Sequence, residues 1–275
     1  MNANKALWEK GDFTQIAASM RDSGTALVAS LGLTSGEQVL DLGCGDGTTA
    51  LPAAQVGAEV LGIDIASNLV AAGNRRAVTA GLANLRFQEG DASNLSGLED
   101  RRFDLVVSMF GAMFAPSPGD VAKAMVRVTR KGGRIVMGNW IPNDPTLVAQ
   151  ILKISAAYSP APPPGFVSPM LWGKADEVVA RFGSAGIEAS HVTCERDIYK
   201  FAHPGPPSAL LDDFVQFYGP TMNAVEAAAR DGRADQLKTE LLALFERQNS
   251  SGRVDVTAIS AAFLRVTVLV DLTAV

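Results

Sequence analysis

Short apolar runs alternate with amphipathic stretches along the first half of the chain. The runs at 38–42, 58–64, 85–88, 103–108 and 134–140 are brief and rich in Val, Leu and Ile, which predicts five strands. Helical spacing between them predicts helices over 48–55, 67–80 and 120–129. Pro52 lies in the first turn of the first helix, where a missing N–H is tolerated. Ser67 and Asp120 are the expected N-caps of the other two; Gly81 and Lys131-Gly132-Gly133 are the expected stops. Ahead of the first strand, residues 3–31 read as a short helix and a longer one, parted by Gly11-Asp12.

Such alternation calls for right-handed crossovers and a parallel sheet covered on both faces. The expected fold class is α/β, a doubly wound, mainly parallel seven-stranded sheet with extra C-terminal helices. From Ile141 the pattern loosens. A helix is expected over 146–158, an irregular loop with five prolines over 159–169, a helix over 175–185 and a sixth strand over 187–201. His203-Pro204-Gly205-Pro206-Pro207 breaks the chain, helical patterns follow near 208–217 and 221–249, and the β-branched stretch 262–270 reads as the last strand.

Composition narrows the class. With 47% apolar and 19% charged residues the chain is globular in character. A net charge of −5 argues against a nucleic-acid partner, whose phosphates are bound by clustered Lys and Arg. No run reaches the length of a membrane span, and the opening residues carry no signal-type apolar core, so a cytoplasmic enzyme is the expectation. Cys44 and Cys194 lie too far apart for a metal spacing, and no metal is expected.

Four polar residues, Asp41, Asp64, Asp91 and Ser108, fall at the C-terminal ends of successive strands, where open α/β sheets bind ligands. Gly43, Gly45 and Gly47 follow the first strand, and such a turn lets backbone pass close beside a ligand. The dinucleotide fingerprint needs its third glycine one place later, where Thr48 stands, which counts against a nicotinamide oxidoreductase.

Asp41-x-Gly43-x-Gly45-x-Gly47, together with Asp64 and Gly90-Asp91-Ala92, resembles the class I S-adenosylmethionine-dependent methyltransferases. Ser108-Met109-Phe110-Gly111 with the residues to Pro116, Trp140-x-Pro142, and Ser168-Pro169-x-x-Trp172-Gly173 resemble a bacterial small-molecule branch related to the ubiquinone and menaquinone C-methyltransferases. Lys131 stands where that family usually has proline. The resemblance implies that Gly43 and Gly45 pass along the methionine part of the cofactor and that Asp41 bonds its amino group. It implies Asp64 on the ribose hydroxyls, Ile65 on the adenine, Asp91 and the Ala92 N–H on the adenine edge, and Ser108 and Met109 near the sulfonium. S-adenosylhomocysteine would be the product.

The resulting organisation is one domain over 1–275. A helical lid (1–31) would bring Trp8 over the cofactor, 32–141 would form the cofactor-binding core, 142–261 the acceptor side, and 262–275 the final strand. Phe13, Phe110, Met113, Phe114, Trp140, Phe166 and Trp172 would make an apolar, aromatic acceptor pocket. His203 is the candidate general base, with Tyr158 and Tyr218 as further options. The partner is then a small-molecule methyl acceptor modified at carbon or oxygen, nitrogen being open, and the assembly is compatible with a homodimer. A cofactor-binding protein without methyl transfer is the competing reading.

Overall fold

A computed structural model describes residues 3–271. The last four residues of the expected final segment, 272–275, and the first two of the expected lid lie outside the described residues. Three helices come first: α1 (Ala3–Glu9), α2 (Phe13–Ala18) and α3 (Arg21–Ser30). There follow β1 (Gln38–Leu42), α4 (Ala50–Gln55), β2 (Glu59–Asp64), α5 (Ser67–Thr79), β3 (Leu85–Glu89), β4 (Phe103–Met109), α6 (Pro118–Val128) and β5 (Thr129–Trp140). The second half holds α7 (Leu147–Ala156), α8 (Ala175–Gly183), β6 (Val192–His203), α9 (Pro207–Phe217), α10 (Gly219–Arg230), α11 (Ala234–Gln248) and β7 (Thr257–Val270). No helix among the described residues is long and apolar enough to cross a membrane.

The strands form one seven-stranded sheet in the order β3-β2-β1-β4-β5-β7-β6. Strands β1 to β5 pair in parallel, and β7 runs antiparallel to both β5 and β6. Both faces are buried by the alternation of side chains along each strand. Val39, Leu105, Val107 and Val136 share one cluster with Val28, Leu51 and Ala77 of α3 to α5. Leu40, Leu42, Val106, Ile135 and Met137 point the other way, into a cluster with Val121 and Met125 of α6.

Several boundaries differ from the sequence expectation for local reasons. The longer N-terminal helix is broken at Ser19-Met20, because the Ser19 carbonyl accepts from Ala202 N of β6 at 2.8 Å and is unavailable to the helix. Ser67 does not cap α5; it is the first helical residue, and its N–H and hydroxyl both donate to Glu9 of α1. Asp120 is not a cap either and sits in the first turn of α6 behind Ser117 and Pro118. The Lys131-Gly132-Gly133 turn lies inside β5 as an irregularity in its pairing with β4, Gly132 having a φ of 75°. The stretch near 221–249 is two helices, since Gly232 at φ 68° ends α10. The sixth strand starts at Val192, later than expected, because Ala189–His191 forms a 3-10 turn.

The strand order reverses between β1 and β4, and there the two loops touch backbone to backbone. Gly43 has a φ of 68°, and a Cβ on it would stand 2.7 Å from Gly111 Cα; a Cβ on Gly111 would stand 2.3 Å from Gly43 O. Gly43→Ala and Gly111→Ala are each expected to destabilise the protein by about 2 kcal/mol or more, from strain and from prying the loops apart. Thermal melts of the two variants check this; a change within experimental scatter for both would contradict the contact.

Candidate active site

Beyond β1 the chain turns through Gly43, Gly45 and Gly47, whose φ values of 68°, 56° and 93° lie in the left-handed region. Gly43 N and Cys44 N both donate to Ile63 O of β2, at 2.7 and 3.1 Å, so the turn folds back over the neighbouring strand. A Cβ on Gly45 would meet only Phe13, 4.0 Å away, so this backbone faces open space. That space is a cavity of about 910 Å³, counting its open mouth, over the C-terminal ends of β1, β2 and β4. Asp41, Gly43, Gly45, Asp64, Ile65, Asp91, Ala92, Met109 and Trp8 all line it.

The charges there are unevenly satisfied. Asp41 is buried, and its Oδ2 has no hydrogen-bond partner among the described residues. Burial, then the charge of Asp64, pushes its carboxyl up to about 8. Asp64 accepts from Gly45 N at 2.8 Å and Ala66 N at 2.9 Å, while burial again raises its proton affinity. Asp91 Oδ1 accepts from Ser93 N and Oγ, which shapes the loop after β3. A buried carboxylate with a free oxygen calls for a cation, and the amino group of S-adenosylmethionine is one. The second lone pairs of Asp64 suit a diol. The residues fit this cofactor.

The methyltransferase domain family matches residues 40–137, the stretch from β1 through β5 that builds this cavity. An uncharacterized protein of Mycobacterium tuberculosis is 33% identical over 227 residues, 82% of this chain and 80% of the relative. A demethylmenaquinone methyltransferase of Beutenbergia cavernae is 37% identical over 116 residues, 42% of this chain and 45% of its own. The YcgJ protein of Bacillus subtilis shares the fold with a TM-score of 0.57 at 20% identity, over 90% of this chain and 98% of that one. The chain belongs to the class I S-adenosylmethionine-dependent methyltransferases.

Not every expected residue of the methyltransferase reaches the cavity. Ser108 does not line it: the side chain is buried, donates to Leu42 O at 2.6 Å and accepts from Ala112 N at 3.0 Å. Pairing of Asp41 with Val107 puts Met109, two residues on, on the same side of the sheet as Asp41 and turns residue 108 to the opposite side. Ser108 thus ties the tips of β1 and β4 together.

A second, smaller space of about 350 Å³, again counting its open mouth, adjoins the first and shares Trp8, Phe13, Met20 and Phe110 with it. Phe114 and Trp140 line it as expected from the sequence, and Phe110 stacks on Trp140 with centroids 3.7 Å apart. Phe110 holds a φ of 64°, an uncommon conformation for a bulky side chain, at the junction of the two spaces. Three expected pocket residues lie elsewhere. Met113 is packed in the core, and Trp172 is buried between Phe182 and Arg181. Phe166 is 56% exposed on the proline-rich loop.

His203 also lies away from both spaces. Its Nδ1 accepts from Gly205 N at 2.9 Å and its Nε2 is 3.4 Å from Asp213, so the ring organises the turn into α9. The expected base is corrected to a loop-forming residue. Tyr158 is likewise engaged elsewhere, donating to Glu240 at 2.6 Å.

Sequence reasoning missed the clamp that holds the N-terminal helices down. Asp46, buried in the glycine turn, takes Arg21 of α3 on both oxygens, with Nη1 2.9 Å from Oδ1. Arg76 of α5 donates to the Asp46 carbonyl at 2.6 Å and lies 3.4 Å from its Oδ2. Glu9, bonded to Ser67, and Lys10, bonded to Glu226, pin α1 at its end. Tyr199 of β6 is a further lining residue that the sequence left unmarked.

Asp41 has a direct pH signature. Its carboxyl is raised above its ordinary 3.8, so the unfolded chain ionises first. Cofactor-free stability should therefore fall as pH rises from 3.8 toward about 8, a slope that Asp41→Asn flattens. An arriving ammonium ionises Asp41, so S-adenosylhomocysteine binding near pH 7 should release a proton. Calorimetry in buffers of different ionisation enthalpy checks this: buffer-dependent heats are expected for the native protein and lost in Asp41→Asn, with affinity down about tenfold or more.

Proposed function

We propose that this methyltransferase transfers a methyl group to a small, largely apolar acceptor at carbon or oxygen, by in-line displacement. The observation that carries this reading is the lining of the smaller space, where no Asp, Glu, Lys, Arg or His stands among the described residues. An amine that stayed protonated would be a buried charge there. Ring faces would return about 0.5–2 kcal/mol to it, against a burial cost of several kcal/mol. Nitrogen is thus the least favoured target.

Bound S-adenosylmethionine supplies an activated methyl on a sulfonium. The chain's own contribution is alignment and exclusion of water. Asp41 orients the methionine amino group and Asp64 the ribose. Phe110, braced by Trp140 and edge-on contacts to Tyr199 and Phe263, sets the wall between the two spaces. Trp8, packed on Phe13, Phe114 and Tyr218, covers the junction from above. Among the described residues no histidine or carboxylate lines the smaller space, which favours nucleophiles that ionise unaided or react as electron-rich carbon.

Methyl-labelled S-adenosylmethionine incubated with the enzyme and a bacterial metabolite extract tests the reading. Label is expected in the fraction that partitions into organic solvent at neutral pH. Tight cofactor binding with no transfer, or transfer only into charged water-soluble products, would contradict it. Phe114→Ala, which removes a wall of the acceptor space that does not line the cofactor cavity, is expected to lower kcat/KM about tenfold while S-adenosylhomocysteine affinity stays within about twofold.

A further inference from the structure

We propose that Tyr218 is the specificity-determining residue of the acceptor space, donating its hydroxyl proton to the single oxygen of an uncharged aromatic ring. The proposal rests on the acceptor reading above and gives it a chemical class. Eight of the eleven residues around the space are aromatic, and the rest are Ile16, Met20 and Val148. Aromatic walls hold a flat ring through edge-to-face and offset contacts. The polar atoms these walls carry are few. They are the Tyr218 hydroxyl and the indole N–H groups of Trp8 and Trp140.

The three are not equivalent. Trp8 gives its N–H to Asn4 at 3.1 Å. The Tyr218 hydroxyl and the Trp140 N–H make no hydrogen bond among the described residues. Tyr218 is 5% exposed, at the corner where α9 passes into α10, and its ring is fixed by Phe214, Trp8 and Phe13 at centroid distances of 5.3, 6.0 and 6.2 Å. A buried phenol hydroxyl normally finds a partner, as Tyr158 does in Glu240. The Tyr218 oxygen is not sealed from solvent, and a ligand in the space can supply its partner.

Burial raises the proton affinity of Tyr218, so the group stays an O–H and serves as a donor rather than a base. An indole N–H is a donor only. Two unspent donors match a ligand oxygen, and with no acidic side chain in the lining an ammonium would be a buried, unpaired charge. The absence of Lys, Arg and His from the lining selects against a carboxylate as well. An uncharged ring with one hydroxyl or carbonyl oxygen meets both conditions.

The test uses the enzyme saturated with S-adenosylhomocysteine and four probes of one ring size: naphthalene, 2-naphthol, 2-naphthoate and a naphthylmethyl trimethylammonium. Binding is followed by saturation-transfer NMR and calorimetry. The expected order is 2-naphthol first, naphthalene about five- to tenfold weaker, and the two charged probes weaker again. Tyr218→Phe should bring 2-naphthol to the affinity of naphthalene and leave naphthalene unchanged, whereas a merely structural role would move both alike. The native order needs no variant and stands even if Tyr218→Phe folds poorly. Equal loss of both neutral probes, or no probe binding beside intact S-adenosylhomocysteine binding, overturns this proposal alone, whereas preference for a charged probe overturns the acceptor reading with it. Failure of S-adenosylhomocysteine itself to bind overturns it together with the acceptor reading.

Discussion

The contact between Gly43 and Gly111 is the constraint from which the site follows. Two loops leave adjacent parallel strands at the point where the strand order reverses, and ordinary side chains there would hold them apart. With no Cβ on either, the backbones touch, and Ser108 stitches the strand tips beneath them. The glycine turn then folds over β2, which brings Gly45 N onto Asp64. Asp41 is left lining the cavity with an oxygen that has no hydrogen-bond partner among the described residues.

Two buried acids a few residues apart are treated in opposite ways, and the contrast separates structure from function. Asp46 receives Arg21 and Arg76 and joins the N-terminal helices to the cofactor turn. Asp41 receives no cation among the described residues, and burial beside Asp64 raises its proton affinity. The N-terminal helices add Trp8 and Phe13 to both spaces, so one element lines the larger cavity and the smaller space together. Close backbone approaches of Gly219 to Leu7 and of Gly11 to Phe217 seat that element on the α9–α10 corner.

Much of this was legible in the sequence. The strands of the first half, the glycine turn and the acids at the C-terminal ends of β1, β2 and β3 each carry a local signal, either period-two burial or a turn residue. Local signals failed where long-range contacts decide. Arg21 and Asp46 form a clamp that no periodicity announces. Ser108 was read as a site residue because it ends a strand, yet the register with β1 turns it to the other face. Phe166 and Trp172 were grouped with the pocket for being aromatic residues in loops. One stands on a stiff proline loop in solvent, and the other is buried beside Arg181. His203 looked available only because its partners, Gly205 and Asp213, lie in the break and helix that follow it.

The central claim is that the cavity holds the cofactor by its amino group on Asp41, with the reacting end toward the aromatic space behind Phe110. A crystal structure of the enzyme with S-adenosylhomocysteine tests this most directly. The account predicts the amino nitrogen within hydrogen-bonding distance of Asp41 Oδ2, the ribose hydroxyls on Asp64 and the sulfur facing the space walled by Phe110 and Trp140. A cofactor bound with its amino group away from Asp41, or with its sulfur turned from that space, would contradict it.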